Sequence, residues 1–214
     1  MAAVSAVALT AAASGAQAQS ATNASLAAPG VYFGTGNPNG AFATDTAGGI
    51  EIGLRSKISG VHPQITPVGD VYSIPLGDTF NFDYSFNPSV GAGEVDADGL
   101  TQSITVTDAF GFSVSFDPSA IGDNATNAGA PGGFQNSEKI SFSFLDPAYN
   151  PNKNDTFTIT YSVFGIDHPS LSVENVVNVG SGAPEPAAWA LMILGFGGVG
   201  ATLRRKVRTA ATAA

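Results

Sequence analysis

Hydrophobic and polar residues alternate with a period of two along much of the central part of this chain. The five clearest alternating segments are residues 80–86, 104–107, 112–116, 140–144 and 157–163. Three weaker segments are residues 50–56, 71–74 and 171–179. In the clear segments Phe, Tyr, Ile and Val alternate mainly with Ser, Thr, Asn and Asp. This alternation predicts β-strands that each have one buried and one solvated face.

Short turn-forming pairs separate the predicted strands. They are Gly77-Asp78, Asn87-Pro88, Asp98-Gly99, Asp117-Pro118, Asp146-Pro147 and Asn150-Pro151. Between the two ends of the chain, no segment of the sequence has the 3.6-residue period of a helix. The sequence therefore predicts an all-β domain over residues 31–180, an antiparallel β-sandwich of about eight strands. Residues 19–30 and 181–186 are small, polar and contain Pro and Gly, which predicts linkers.

The composition narrows the chemistry that this domain can perform. The chain has 214 residues, enough for one domain of ordinary size with short terminal segments. It contains no Cys, which excludes disulfides, thiolate metal sites and a Cys nucleophile. Its two histidines, His62 and His168, each precede a proline and are predicted to lie in surface loops. Either could act as a base, but no Gly-x-Ser-x-Gly motif accompanies them.

Charge is distributed unevenly along the chain. Residues 19–183 contain four basic and 16 acidic residues, whereas the last eleven residues contain four basic residues and no acidic one. An acidic body argues against nucleic acid as a partner, because that binding depends on neutralising phosphates.

The first 18 residues have the features of a secretory signal peptide. Residues 2–13 are small and largely apolar, and Ala16-Gln17-Ala18 follows as a small-x-small cleavage site. We therefore expect signal peptidase to cleave after Ala18 and export the rest of the chain.

An uncharged apolar segment near the other end predicts a transmembrane helix. Residues 187–203 would span about 25 Å as a helix, which is the short limit for crossing a bilayer. Arg204, Arg205, Lys206 and Arg208 follow directly, so residues 204–214 form a basic tail. Basic residues beside an apolar span favour the cytoplasmic side. The predicted domain would then lie outside the inner membrane, in agreement with the signal peptide.

The residues around this apolar segment carry a family resemblance. Pro184-Glu185-Pro186 precedes it, Trp189 lies near its start, and Gly195-Phe196-Gly197 lies within it, before the basic tail. In this order they resemble the PEP-CTERM sorting signal, and specifically its Pro-Glu-Pro-x-x-Trp-Ala variant from alphaproteobacteria. The resemblance covers about 25 residues.

The resemblance implies a processing route. Members of this family are exported and recognised by an exosortase, a membrane-embedded transpeptidase, and then pass to the cell surface or exopolysaccharide matrix. By this resemblance Pro184, Glu185 and Pro186 would be the recognition element and the apolar helix a transient anchor. The alternative interpretation is an ordinary C-terminal membrane anchor.

A short acidic segment between predicted strands is a candidate cation site. Glu94, Asp96 and Asp98 alternate and are followed by Gly99, as at the start of a calcium-binding loop. The twelfth position is Thr105 rather than Glu, and the residues after the loop favour a strand. The sequence therefore leaves two alternatives, a calcium site and a solvated acidic turn.

Three functions remain open for the predicted sandwich. The first is a non-enzymatic structural or adhesive protein of the cell surface or matrix, with exopolysaccharide as a possible partner. The second is a secreted hydrolase acting on glycans, which would need two carboxyl groups flanking a cleft. The third is a small-ligand or ice-binding module, which would need a regular array of Thr on one sheet. No cofactor other than calcium is suggested.

Overall fold

The computed structural model describes residues 19–27, 39–61, 65–91, 95–123, 131–165 and 168–180. These ranges contain ten strands and one short 3-10 turn at Pro118–Ala120. The strands are β1 (Gln19–Ala24), β2 (Phe42–Ala47), β3 (Ile50–Ile58), β4 (Val71–Ile74), β5 (Phe80–Asn87), β6 (Thr101–Asp108), β7 (Ser113–Phe116), β8 (Phe134–Lys139), β9 (Asp155–Gly165) and β10 (His168–Val179).

The strands form two five-stranded sheets. The first sheet has the order β1-β2-β3-β5-β8, and all of its neighbouring strands are antiparallel. The second sheet has the order β4-β10-β9-β6-β7, in which β4 and β10 are parallel and the other pairs are antiparallel. The all-β prediction is confirmed, but a purely antiparallel arrangement is wrong at this one pair. β4 and β10 are separated along the chain by five other strands and are not joined by a tight turn, so they can pair in parallel.

The apolar faces of the two sheets pack against each other, which gives a β-sandwich-like arrangement. Aromatic side chains of β5 cross the interface: the ring centroids of Phe80 and Phe157 are 5.3 Å apart, and those of Tyr84 and Tyr161 are 6.2 Å apart. All four residues are essentially buried. Each buried aromatic contributes on the order of 1.5–3 kcal/mol, so the core is substantial without disulfides.

Seven of the eight predicted strands are confirmed, with boundaries within a few residues. The exception is the segment 140–144, which forms successive turns instead of a strand. Phe142 N donates to Lys139 O at 2.9 Å, and Asp146 N donates back to Ile140 O at 3.1 Å, so the chain folds on itself after β8. The edge strand of the first sheet is instead β8, the more polar segment that immediately precedes these turns.

In addition to β8, two strands of the structure are not predicted by the sequence pattern, β1 and β2. Residues 19–24, for which a linker is predicted, form β1 at the edge of the first sheet. The next strand, β2, lies between β1 and β3 and carries Asp45 on its core-facing side. Both segments are rich in Ala, Ser and Thr, so hydrophobic alternation does not mark them.

Polar contacts join the two sheets where β2 and β3 lie beside β10. Asp45 Oδ2 accepts a hydrogen bond from Ser172 N at 2.9 Å. The Asn175 side-chain oxygen accepts a hydrogen bond from the backbone N of Arg55 at 3.2 Å, in the amide orientation in which the Asn175 side-chain nitrogen also has an acceptor. The opposite side of the sandwich, formed by the edge strands β7 and β8, is filled mainly by aromatic rings.

Candidate functional site

Three aromatic rings form a continuous, partly exposed surface at the β7–β8 side of the sandwich. They belong to Phe116 at the end of β7 and to Phe142 and Phe144 in the turns after β8. The centroids of Phe116 and Phe144 are 5.7 Å apart, and those of Phe142 and Phe144 are 6.2 Å apart. Phe142 and Phe144 are each 42% exposed. We call these three residues the aromatic edge, because contiguous exposed apolar groups are typical of interaction sites.

The inner ring of the aromatic edge is held by the core. The Phe116 centroid lies 6.5 Å from that of Phe82 and 6.4 Å from that of Tyr84, both on β5. Phe144 meets Phe116 nearly at right angles, with 86° between the ring planes. Such edge-to-face contacts are favourable, so the exposed rings continue an aromatic chain that begins in the core.

The outer two rings are presented by an anchored turn. Ile140 and Leu145, on either side of them, are buried in the core. Leu145 N donates to Phe142 O at 2.9 Å, which closes the turn. The alternation Ser141-Phe142-Ser143-Phe144 predicts a strand, but its Phe side chains lie at the surface instead of in the core. Sequence alternation alone does not distinguish these two outcomes.

Two buried polar side chains, those of Glu138 and Tyr84, lie on the core-facing side of the first sheet near the aromatic edge. Glu138 on β8 pairs with Phe82 across the first sheet and is only 4% exposed. Its carboxyl group has no hydrogen bond or ion pair among the described residues, and burial raises its pKa to about 7. The Tyr84 hydroxyl is also buried, and the side chain of Asn136, its neighbour on β8, lies beside it. Burial, and then the nearby charge of Glu138, raise the pKa of Tyr84.

The sequence alone does not identify Glu138 or Tyr84 as a candidate site residue. Glu138 lies in a polar segment with no strand pattern, and Tyr84 is one of several alternating aromatics. Only the pairing of β5 with β8 brings the carboxyl group near the phenol. A carboxyl group with a pKa near neutrality can accept a hydrogen bond in its ionised form and donate one in its protonated form.

The outer face of the second sheet carries hydroxyl side chains in register. Across β6 and β9 the opposed pairs are Ser103 and Ser162, Thr105 and Thr160, and Thr107 and Thr158. Some hydroxyls are hydrogen-bonded across strands: Thr105 to Ser115 at 2.8 Å, and Ser162 to Ser172 at 3.1 Å between oxygen atoms. We call the three opposed pairs the hydroxyl face. The sequence shows these residues but not their register, which depends on strand pairing.

A buried charge cluster lies on the outer side of the first sheet. Arg55 Nε is 2.8 Å from Asp83 Oδ2, and Lys57 Nζ is 2.7 Å from Asp83 Oδ1. The Arg55 guanidinium also lies 4.4 Å from the centre of the Phe42 ring and donates to Gly40 O at 3.0 Å. Two of the four basic residues of the body are therefore buried against one carboxylate, which leaves few basic groups on the acidic exterior.

The segment Ser25–Ala27, which we call the covering segment, lies over this side of the first sheet. Ala27 N donates to Glu51 Oε1 at 2.8 Å, and burial raises the pKa of Glu51. Leu26 packs against Phe42 as a small second core. These contacts indicate that the polar cluster is an internal part of the fold.

The acidic loop is described only in part. Asp96 Oδ1 accepts a hydrogen bond from Asp98 N at 2.9 Å, which is the contact of an Asx turn. Glu94 lies outside the described residues. Within the described ranges no group of three potential metal-ligating side chains comes together. Calcium binding here stays a prediction.

The structure changes the interpretation of one histidine. His168 is the first residue of β10, where it pairs with Gly165 of β9, so the prediction that it lies in a loop is wrong. The register of β10 shifts just after it, at the bulge before Leu171. His62 lies outside the described residues.

The sites predicted at the two ends of the chain also lie outside the described residues. They are the cleavage-site residues Ala16 and Ala18, the motif residues Pro184, Glu185, Pro186 and Trp189, the apolar segment 187–203, and the basic residues Arg204, Arg205, Lys206 and Arg208. In the ranges that are described, no helix has the length and hydrophobicity needed to cross a membrane.

Comparison with known proteins gives no match: no family model, curated protein or solved structure is similar to this chain.

Proposed function

We propose that this chain is an exported bacterial protein that is sorted through its C-terminal end and acts, without catalysis, at the cell surface or in the exopolysaccharide matrix. One observation carries the proposal: Pro184-Glu185-Pro186, Trp189, an apolar Gly-containing segment and a basic tail occur together in that order. If the Pro-Glu-Pro tripeptide had arisen by chance, the other three features would not be expected beside it in this order.

The proposed route has two cleavage steps. Signal peptidase removes residues 1–18, and residues 187–203 then hold the chain in the inner membrane with the basic tail in the cytoplasm. Exosortase recognises Pro184–Pro186 and releases the body to the cell surface. The all-β body suits this route, because its aromatic core needs no disulfide and most strand side chains at its surface are Ser and Thr.

Terminal-peptide mass spectrometry on fractionated native cells tests this proposal. We expect the body in the outer-membrane or extracellular fraction, beginning at Gln19 and lacking everything after the Pro-Glu-Pro region. A matched variant with Glu185→Ala should keep its tail and remain in the inner membrane. An intact wild-type tail in the inner membrane would overturn the sorting proposal and favour a membrane-anchored protein.

The hydroxyl face supports a second candidate, an ice-binding or small-ligand module. Thr105, Thr107, Thr158 and Thr160 form two adjacent opposed pairs on neighbouring strands, the arrangement that such a function needs. Strands in a sheet lie about 4.8 Å apart, and alternate residues along a strand about 6.7 Å apart, so the backbone positions of the four Thr residues form a small regular lattice. Inhibition of ice recrystallisation by the wild type, lost in Thr107→Leu with Thr158→Leu, would favour this candidate. Equal activity of both proteins would exclude it.

A further inference from the structure

We propose that the aromatic edge is a binding site for a neutral polysaccharide, an inference that rests on the proposed location outside the cell. The exposed rings of Phe142 and Phe144 would stack on the C–H faces of sugar rings, and the polar groups beside them would bind sugar hydroxyls. Neither the sorting motif nor the hydroxyl face takes part in this site.

The geometry of the rings fits a flat, amphipathic ligand. The planes of Phe142 and Phe144 differ by 34° and their centroids are 6.2 Å apart, so two exposed rings of similar orientation lie next to each other. Phe144 also packs edge to face on Phe116, and the buried side chains of Ile140 and Leu145 anchor the turn that carries both exposed rings. A surface organised before binding loses little conformational entropy when a ligand binds.

Hydrogen-bonding groups surround the rings. Ser141 and Ser143 alternate with the two Phe residues and are exposed. Sugar hydroxyls both donate and accept, so they can pair with these two serine hydroxyls, which also donate and accept.

The area of the patch argues against a second copy of this chain as the occupant. At 42% exposure, Phe142 and Phe144 together present on the order of 170 Å², taking about 200 Å² for an exposed aromatic side chain. A stable protein–protein interface buries about 800 Å² on each partner. The patch is much smaller than that and matches the footprint of a few sugar rings.

The charge of the body indicates that the polysaccharide is neutral. Residues 19–183 carry four basic and 16 acidic residues, and Arg55 and Lys57 are buried against Asp83. Polyanions such as uronic-acid polymers, and anionic lipid surfaces, would be repelled. A neutral chain of hexoses or pentoses meets no such barrier.

Binding of the full-length chain in mild detergent to immobilised polysaccharides tests the proposal. The probes are neutral glucans, mannans and xylans, with alginate as the anionic comparison. We expect binding to at least one neutral polymer, weakened at least tenfold in the double variant Phe142→Ala with Phe144→Ala. The double variant Phe142→Tyr with Phe144→Tyr should retain it, because Tyr keeps the ring. Phe110→Ala is the matched control, since Phe110 is also exposed but lies under Lys153, away from the aromatic edge.

Each other outcome overturns the proposal. No binding to any neutral polymer, equal loss in Phe110→Ala, or binding to alginate alone would each do so. Self-association that disappears in the double Ala variant would identify the patch as an interface between copies. The test is independent of sorting: a correctly processed protein that binds no neutral polymer removes only this inference, whereas a binding protein that keeps its tail removes only the proposed sorting.

Discussion

At the scale of single residues, the least expected feature is the number of charged groups that the fold buries. Asp83 is completely buried between Arg55 and Lys57, and Glu138 is buried without an ion-pair partner among the described residues. A buried pair has a desolvation penalty that its own attraction must offset, so removing one member is more damaging than removing both. Substitutions at these buried charged residues should therefore have large effects on the free energy of unfolding.

Replacing Asp83 with Asn should strongly destabilise the protein. The change leaves Arg55 and Lys57 in a buried site without their carboxylate, and breaking a buried pair in this way typically costs about 3–5 kcal/mol. Urea denaturation followed by fluorescence measures the free energy of unfolding. Asp98→Asn is the matched control, because Asp98 is exposed, and it should change stability by no more than about 0.5 kcal/mol. Equal effects of the two variants would show that the cluster is not formed.

Glu138 should make stability fall as the pH rises. Burial raises its pKa from 4.5 to about 7, so the folded state binds its proton more tightly than the unfolded state does. Its stabilising contribution is complete below pH 4.5 and is lost as the pH approaches and passes 7, a difference of about 1–3 kcal/mol.

Comparison of the wild type with Glu138→Gln isolates this contribution. The other carboxyl groups titrate in both proteins, so the difference between their unfolding free energies at pH 4.5 and pH 8 reports Glu138 alone. We expect the variant to gain stability relative to the wild type as the pH rises. A difference that does not vary with pH would mean that Glu138 is solvated in solution.

At the scale of elements, sequence periodicity locates strands but not their partners. It finds β5, β6 and β9, because each has one strongly apolar face. It misses β8, whose polar residues become a strand only through pairing with β5. It also assigns the turn after β8 to a strand, because exposed and buried Phe residues produce the same alternation. The aromatic edge and the hydroxyl face were unpredictable for this reason, since both depend on register between distant segments.

The turn after β8 should tolerate loss of its outer rings but not of its anchor. Phe142 and Phe144 are substantially exposed but Phe144 also packs on Phe116, so the double Ala variant should lose about 1–2 kcal/mol of stability. Ile140 is completely buried, and Ile140→Ala should cost about 2–4 kcal/mol. Urea denaturation of the three proteins measures both effects. A large loss in the Phe variant would assign these rings to the core and remove their value as a binding surface.

The covering segment packs directly on Gly53 of β3. A Cβ atom at Gly53 would overlap Leu26 Cδ2, the flexible end of that side chain, and would lie 3.4 Å from Phe42 Cδ1. Gly53→Ala should therefore destabilise by about 1 kcal/mol, the lower end of the cost of overpacking, because the Leu26 side chain can shift. In a double-mutant cycle with Leu26→Ala, the second substitution removes the clash, so we expect a coupling energy of at least about 0.5 kcal/mol. Simple additivity would mean that the covering segment does not contact β3 in solution.

At the scale of the whole molecule, the acidic balance of the body affects both stability and binding. Because two of its four basic residues are internal, acidic groups dominate the outer surface and repel one another. Such self-repulsion destabilises a compact state and is weakened by salt, since the Debye length falls from about 30 Å at 0.01 M to about 8 Å at 0.15 M. The same repulsion favours neutral partners over anionic ones.

Stability should therefore increase with ionic strength, by on the order of 1 kcal/mol between 0.01 and 0.15 M NaCl. Thermal unfolding of the full-length chain measures it. CaCl₂ at matched ionic strength separates general screening from ion binding: equal stabilisation by the two salts indicates screening alone. A larger effect of CaCl₂ that disappears in the variant Asp96→Asn with Asp98→Asn would assign a calcium site to the acidic loop. A fall in stability with added NaCl would contradict the prediction, because it would mean that attractive ion pairs outweigh the repulsion among the acidic groups.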